Sequence, residues 1–178
     1  MAKNTTKNIM IVGVGGQGTL LTSRILGGIT VAAGYDVKLS EVHGMAQRGG
    51  SVVTFVRFGE KIAEPVVEEG TADLLISFEK MEALRYAHFV KKDGVIIAND
   101  CRIDPMTVTV GAAEYPENLV EKMTAAGLDV DALDALTLAE QAGSSKAVNL
   151  VLMGRLSKYF DIPVEEWMAA IEASVPPK

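Results

Sequence analysis

Cysteine is nearly absent. Cys101 stands alone in 178 residues. A single thiol cannot close a disulfide within the chain, and it cannot by itself hold an iron–sulfur cluster or a structural zinc. Positive charge is also scarce: 17 Lys and Arg face 23 Asp and Glu, a net charge of −6. General nucleic-acid and membrane-surface binders meet phosphate with basic patches, so no nucleic-acid and no membrane partner is expected. No apolar run reaches bilayer-spanning length. The opening, MAKNTTKN, is short and polar and shows no signal peptide. These absences point to the cytoplasm. There is no internal repeat, low-complexity tract or linker. The expectation is therefore a single domain over residues 1–178, long enough for a real core.

What is present centres on Asn8 to Leu26, NIMIVGVGGQGTLLTSRIL. The apolar run Ile9 to Val14 reads as a buried strand. Gly13, Gly15, Gly16 and Gly18 follow, and then Leu20, Leu21, Ile25 and Leu26 recur at helical spacing. Gly13, Gly15 and Gly18 fit G-x-G-x-x-G between a strand and a helix, the context in which that pattern binds phosphate at a helix N-terminus. The plainer reading is a glycine turn that only packs the helix on the sheet. No G-K-[ST] closes the loop, so it is not a Walker A motif.

Asp36 to Val42 reads as a second strand, with Gly34 before it as a helix C-cap. Glu41 lies near its end, where an acid bonds a ribose hydroxyl in dinucleotide-binding folds; a solvated strand-end carboxylate is the alternative. The next stretch, His43 to Ser51, is HGMAQRGGS. His43, Gln47 and Arg48 can all bond a ligand. Gly49 and Gly50 allow close approach to a backbone or cofactor, and Arg48 offers a planar fork of donors for phosphate or carboxylate. An exposed surface turn is the competing reading.

Further along, strands are expected at Ser51 to Phe58, Asp73 to Ser77, Val95 to Ala98, Met106 to Val110 and Val130 to Leu133. A short edge segment is expected at Lys61 to Pro65, and a turn at Lys91 to Gly94. Helices are expected at Glu79 to Phe89, from Tyr115 and Pro116 to Ala126, at Ala135 to Ala142, Ala147 to Tyr159 and Val164 to Ala173. Gly154 invites close helix contact, and Trp167 anchors a core or an interface. Cys101 reads as inert, and the acids Asp129, Asp131, Asp134 and Glu140 as a solvated face. Alternating strands and helices imply an α/β, Rossmann-like three-layer sandwich with a mostly parallel sheet. The helix-free stretch Glu41 to Pro65 implies an antiparallel hairpin or a mixed edge.

The two glycine stretches, GVGGQGTLL at Gly13 to Leu21 and SEVHGMAQRGGSVV at Ser40 to Val53, resemble the gamma-type subunits of 2-oxoacid:ferredoxin oxidoreductases. Thr71 to Leu75, Glu82 to Tyr86 (EALRY) and Asn149 to Leu156 carry the likeness through most of the chain. The HGMAQRGG form resembles the aryl-pyruvate (indolepyruvate) branch. Relatives acting on pyruvate or 2-oxoglutarate more often have a Tyr-Gly-Pro version of that loop. The resemblance implies oxidative decarboxylation of a 2-oxoacid to an acyl-CoA with reduction of ferredoxin. Coenzyme A is the co-substrate, and a larger partner subunit holds thiamine diphosphate and the iron–sulfur clusters. It also implies site roles. The N–H groups of Gly15, Gly16, Gln17 and Gly18 face a pyrophosphate, Arg48 pairs a phosphate, and Gln47 and His43 shape the passage to the thiamine. No catalytic residue and no metal ligand is expected on this chain, and a homodimer of the isolated chain stays open. A free-standing nicotinamide or flavin enzyme and a purely structural docking subunit are the competing classes.

Overall fold

The structure, a computed structural model, describes residues 6–43 and 49–174. Its strands are β1 (Lys7–Val14), β2 (Asp36–His43), β3 (Ser51–Gly59), β4 (Ala72–Ser77), β5 (Val90–Asn99) and β6 (Asp129–Leu133). Its helices are α1 (Thr19–Ala32), α2 (Lys80–Tyr86), α3 (Met106–Thr109), α4 (Leu119–Ala125), α5 (Ala135–Gln141), α6 (Val148–Ser157) and α7 (Val164–Ser174). One sheet runs β2-β3-β1-β4-β5-β6. β3 is antiparallel to both neighbours, and every other pairing is parallel. The expected mostly parallel sheet with a mixed edge is what forms, and its one reversed strand is β3.

β1 is apolar from Ile9 onward because both its faces are covered there. Ile9 and Ile11 meet Ile25, Leu26 and Ile29 of α1, with Leu152 and Leu156 of α6 and Trp167 of α7 in the same core. Met10 and Val12 face the other way, in a second core with Ala83 of α2 and Met123 of α4. Three layers result. Trp167 belongs to the core, edge-on to Phe160 with ring centroids 5.4 Å apart. Phe160 in turn stacks on Phe58 at 5.8 Å.

Several expectations fail locally. Lys91 to Gly94 is no turn but an irregular part of β5, where pairing to β4 shifts register between Ala72 and Leu74. The polar KKDG run has turn composition, and a bulge uses the same residues. A Cβ on Gly94 would sit 2.7 Å from the Ala72 carbonyl oxygen and 3.1 Å from that of Asp73. Gly94→Ala is accordingly expected to destabilise by about 1–3 kcal/mol through overpacking against backbone, read as a lowered urea midpoint.

Met106 to Val110 forms a single exposed helical turn, α3, instead of a strand. Its β-branched residues have no neighbouring strand to pair with. Lys61 to Pro65 forms no strand either. The Ile62 N–H donates to the Asp36 carboxylate at 2.8 Å, and the Glu64 carbonyl accepts from Arg57 at 3.2 Å. The helix expected from Tyr115 starts at Leu119, leaving Tyr115 buried in the preceding loop. Gly154 faces open space and draws no helix close. The acids near β6 are not all a solvated face: Arg155 grips Asp131 with bonds of 2.5 and 2.6 Å, and Asp134 caps α5 through the Thr137 N–H.

Candidate functional site

β1 ends at the rim where its chain enters the first glycine turn, and the turn is locked from several sides. A Cβ on Gly13 would lie 3.0 Å from both the Gln17 side-chain oxygen and the Phe78 Cβ, tight enough that a neighbour would have to shift. The Gln17 side chain folds back. It accepts from the Val14 N–H at 2.7 Å and donates to the Phe78 carbonyl at 3.0 Å, bridging the ends of β1 and β4. That fills the crevice between the two strands, where a ligand commonly binds in open α/β sheets. Gly18, with φ of 85°, is the N-cap of α1. Its carbonyl accepts from the Asn149 side-chain amide at 3.1 Å, and any Cβ there would overlap that amide.

The open space lies on the other side of the turn. A cleft of about 420 Å³ is lined by Gly15, Gly16, Gly18, Thr19 and Leu20 on one wall. Glu41 of β2 with Val52, Val53 and Thr54 of β3 form the other. Ile11, Thr54 and Glu41 stand side by side in register, which brings Thr54 and Glu41 together under the N-terminus of α1. The half-buried Glu41 accepts from the Ser23 hydroxyl of α1 at 3.3 Å. Thr54, on the same wall, is only 3% exposed.

The two glycine stretches meet directly. The Gly15 N–H donates to the Gly50 carbonyl at 2.8 Å, and the Gly49 N–H donates to the Gly15 carbonyl at 3.3 Å. This contact corrects the expected donor set. The Gly15 N–H is taken by Gly50, and the Gln17 N–H closes the turn onto the Val14 carbonyl at 3.1 Å. Neither is free for a pyrophosphate. The N–H groups left without an acceptor among the described residues are those of Gly16, Gly18, Thr19 and Leu20, all lining the cleft. Gly13 acts in packing, away from the cleft. His43 pairs with Val52 at the end of β2; its side chain, Gln47 and Arg48 lie outside the described residues.

Sequence reasoning missed Thr54, Ser23 and Asn149. It also missed two buried carboxylates beside the rim. Glu82 accepts from the Ser51 hydroxyl and from Arg85 at 3.0 Å, and Tyr86 lies 3.2 Å from Ser51. The EALRY motif thus packs its polar residues on the first residue of β3. Glu79, fully buried, accepts from the N–H groups of Met81, Glu82 and Ile103 and from the Tyr115 hydroxyl. Both carboxylates are satisfied and act as braces. Burial, reinforced by the nearby Glu79 charge, pushes the Cys101 thiol above its ordinary range, which suits an inert cysteine.

A glycine turn bonded to a second glycine loop, with helix N-terminal N–H groups that have no acceptor among the described residues beside a rim cleft, is a Rossmann-like α/β arrangement of the kind that can receive an anion. The chain belongs to the pyruvate ferredoxin/flavodoxin oxidoreductase family, whose match spans residues 8–178. The indolepyruvate oxidoreductase subunit IorB of Thermococcus kodakarensis is 44% identical, covering 96% of this chain and 87% of that protein. The pyruvate oxidoreductase subunit PORC of Thermotoga maritima, 21% identical, superposes with a TM-score of 0.72 over 98% of this chain and 88% of that one. The 2-oxoglutarate:ferredoxin oxidoreductase of Magnetococcus marinus was solved with 2-oxoglutarate, coenzyme A and succinyl-CoA bound. It is 17% identical and matches with a TM-score of 0.70 over 96% of this chain and 27% of that one. The two structural likenesses carry the fold; family membership bears out the resemblance read from the glycine stretches. Among the described residues no helix is long and apolar enough to cross a membrane.

Proposed function

We propose that this chain is the small subunit of an indolepyruvate (aryl-pyruvate):ferredoxin oxidoreductase and that its rim cleft takes coenzyme A. The observation that carries the reading is a set of four N–H groups on one wall of that cleft, at Gly16, Gly18, Thr19 and Leu20, that have no acceptor among the described residues. They form the positive end of α1 and suit a pyrophosphate. Arg48, on the sequence reading, pairs a phosphate of the same ligand, with Gln47 and His43 shaping the passage to the thiamine. The coenzyme A found in the Magnetococcus relative supports the choice of ligand.

The electron-carrying groups do not fit this chain, since Cys101 alone supplies no ligand set for a cluster. They and thiamine diphosphate, which supplies the carbon–carbon bond cleavage, belong on the larger partner subunit, with ferredoxin beyond it. This chain then holds the acyl acceptor and keeps water from the passage to the reacting carbon. Purified alone, it is expected to reduce no viologen dye when given indolepyruvate and coenzyme A, whereas the complex with the larger subunit does. Dye reduction by the chain alone would overturn the reading. A second reading, a nicotinamide or flavin dinucleotide site, draws on Glu41 in the cleft. Titration calorimetry separates the two: coenzyme A binds and NAD does not if the first holds.

A further inference from the structure

The junction of the two glycine stretches is gripped from the far face of the sheet. Side chains alternate along β3. Val53 and Phe55 lie in the core beneath α2, and Ser51 stands on that same face, whereas the cleft opens on the α1 side. The Ser51 hydroxyl donates to the Glu82 carboxylate, and the Tyr86 hydroxyl lies 3.2 Å from it. A serine has one proton to give. Glu82 takes it, so Tyr86 donates to the serine oxygen. The grip comes from a fixed point: Glu82 is 3% exposed, its N–H is held by Glu79 at 3.0 Å, and its neighbour Ala83 is fully buried.

Ser51 pairs with Val14 in the last register position of β1 and β3. Beyond it, the Gly15 N–H donates to the Gly50 carbonyl at 2.8 Å and the Gly49 N–H to the Gly15 carbonyl at 3.3 Å. Such ends of a ladder fray easily, and glycines bring no side chain to secure them. Ser51 is the first residue past Gly49 and Gly50 that has one. Gly16, next to Gly15, lines the α1 wall of the cleft. Movement at the junction therefore moves that wall. We propose that Glu82 and Tyr86 are positioning residues for the acyl acceptor. Neither lines the cleft. Holding Ser51 from the α2 face, they keep Gly50 against Gly15 and so fix the turn that receives the ligand. This inference rests on the coenzyme A reading and adds to it a support outside the cleft, on the opposite face of the sheet.

The test uses the assembled complex. Ser51→Ala removes one exposed hydroxyl, and Glu82→Ala removes the group that grips it. Each should raise the KM for coenzyme A about fivefold. The KM for indolepyruvate and the rate of coenzyme-A-independent decarboxylation should stay as in the parent. The double variant should be no worse than the stronger single one, because both changes cut one link. Ser51→Thr keeps the hydroxyl and Glu82→Gln keeps an acceptor, so each should recover most of the loss. Amide hydrogen exchange should quicken over residues 13–18 and remain parental over β4. Ser51→Ala carries the test if Glu82→Ala fails to assemble. Parental exchange over residues 13–18 in Ser51→Ala would overturn the proposal. So would a parental KM for coenzyme A in Ser51→Ala while Gly16→Asp raises it, or equal losses toward indolepyruvate and coenzyme A. If Gly16→Asp also leaves coenzyme A unaffected, the coenzyme A reading itself fails and the proposal falls with it.

Discussion

Glu79→Leu is expected to lower stability by about 3–5 kcal/mol, the range seen when one partner of a buried charged hydrogen-bond network is removed. The carboxylate has no solvent exposure, and four donors converge on it from three segments. Leucine fills similar space but leaves the Met81, Glu82 and Ile103 N–H groups and the Tyr115 hydroxyl without acceptors. The N-cap of α2 is lost as well, worth about 1 kcal/mol by itself. Burial first, and then the bond to Glu79, hold the Tyr115 hydroxyl protonated far above the ordinary tyrosine range, so it remains a donor throughout the working pH range. Tyr115→Phe removes one donor and should cost less than Glu79→Leu; Glu79→Gln should fall between. Urea denaturation orders the three. Parent-like stability of Glu79→Leu would show that the loop before α4 is held by something else.

Gly16→Asp should raise the KM for coenzyme A in the complex by about a hundredfold or more, the largest functional effect expected here. A Cβ on Gly16 would meet no described atom within 4 Å, and Gly16 lines the α1 wall of the cleft. An added carboxylate there opposes a pyrophosphate at short range, in a site partly shielded from water. The φ of 101° strains any side chain, so strain must be separated from charge. Gly16→Asn carries the same bulk and the same backbone strain without the charge, and Asn and Asp tolerate positive φ similarly. The Asn variant should raise KM by about tenfold or less. Equal KM values for the two variants, at equal thermal stability, would remove the anion from this wall.

β1 and the first glycine turn were readable in the sequence because their signals are local: a run buried on both faces, and glycines at fixed offsets. β3 was readable too, as SVVTFVRF, yet its polar member Thr54 passed as an ordinary β-former. Its place beside Glu41 in the cleft lining depends on strand register, a relation that only strand pairing creates. For Gln17 the sequence suggests only an N–H turned to a pyrophosphate and says nothing of its side chain. Its side chain instead closes onto Phe78, 61 residues away. Glu79 collects donors from residues 24 and 36 positions further on, which no window of sequence reveals. The failures at Lys91 to Gly94 and Met106 to Val110 share one cause: turn and strand compositions describe what a segment tolerates, while neighbours decide which state is realised.

The reversed direction of β3 has a consequence for how the family can diversify. Because β3 runs back beside β2, the HGMAQRGG segment is the connection of two directly paired strands and can change in length at small entropic cost. The GVGGQG turn has no such freedom. Gly13 is pressed against Phe78, Gln17 is bonded across to β4, and Gly18 is bonded to α6. Changes of length and composition at this rim therefore fall most cheaply in the second loop, while the first turn stays as it is. A lineage could rewrite that connection alone, with the sheet unaltered beneath it.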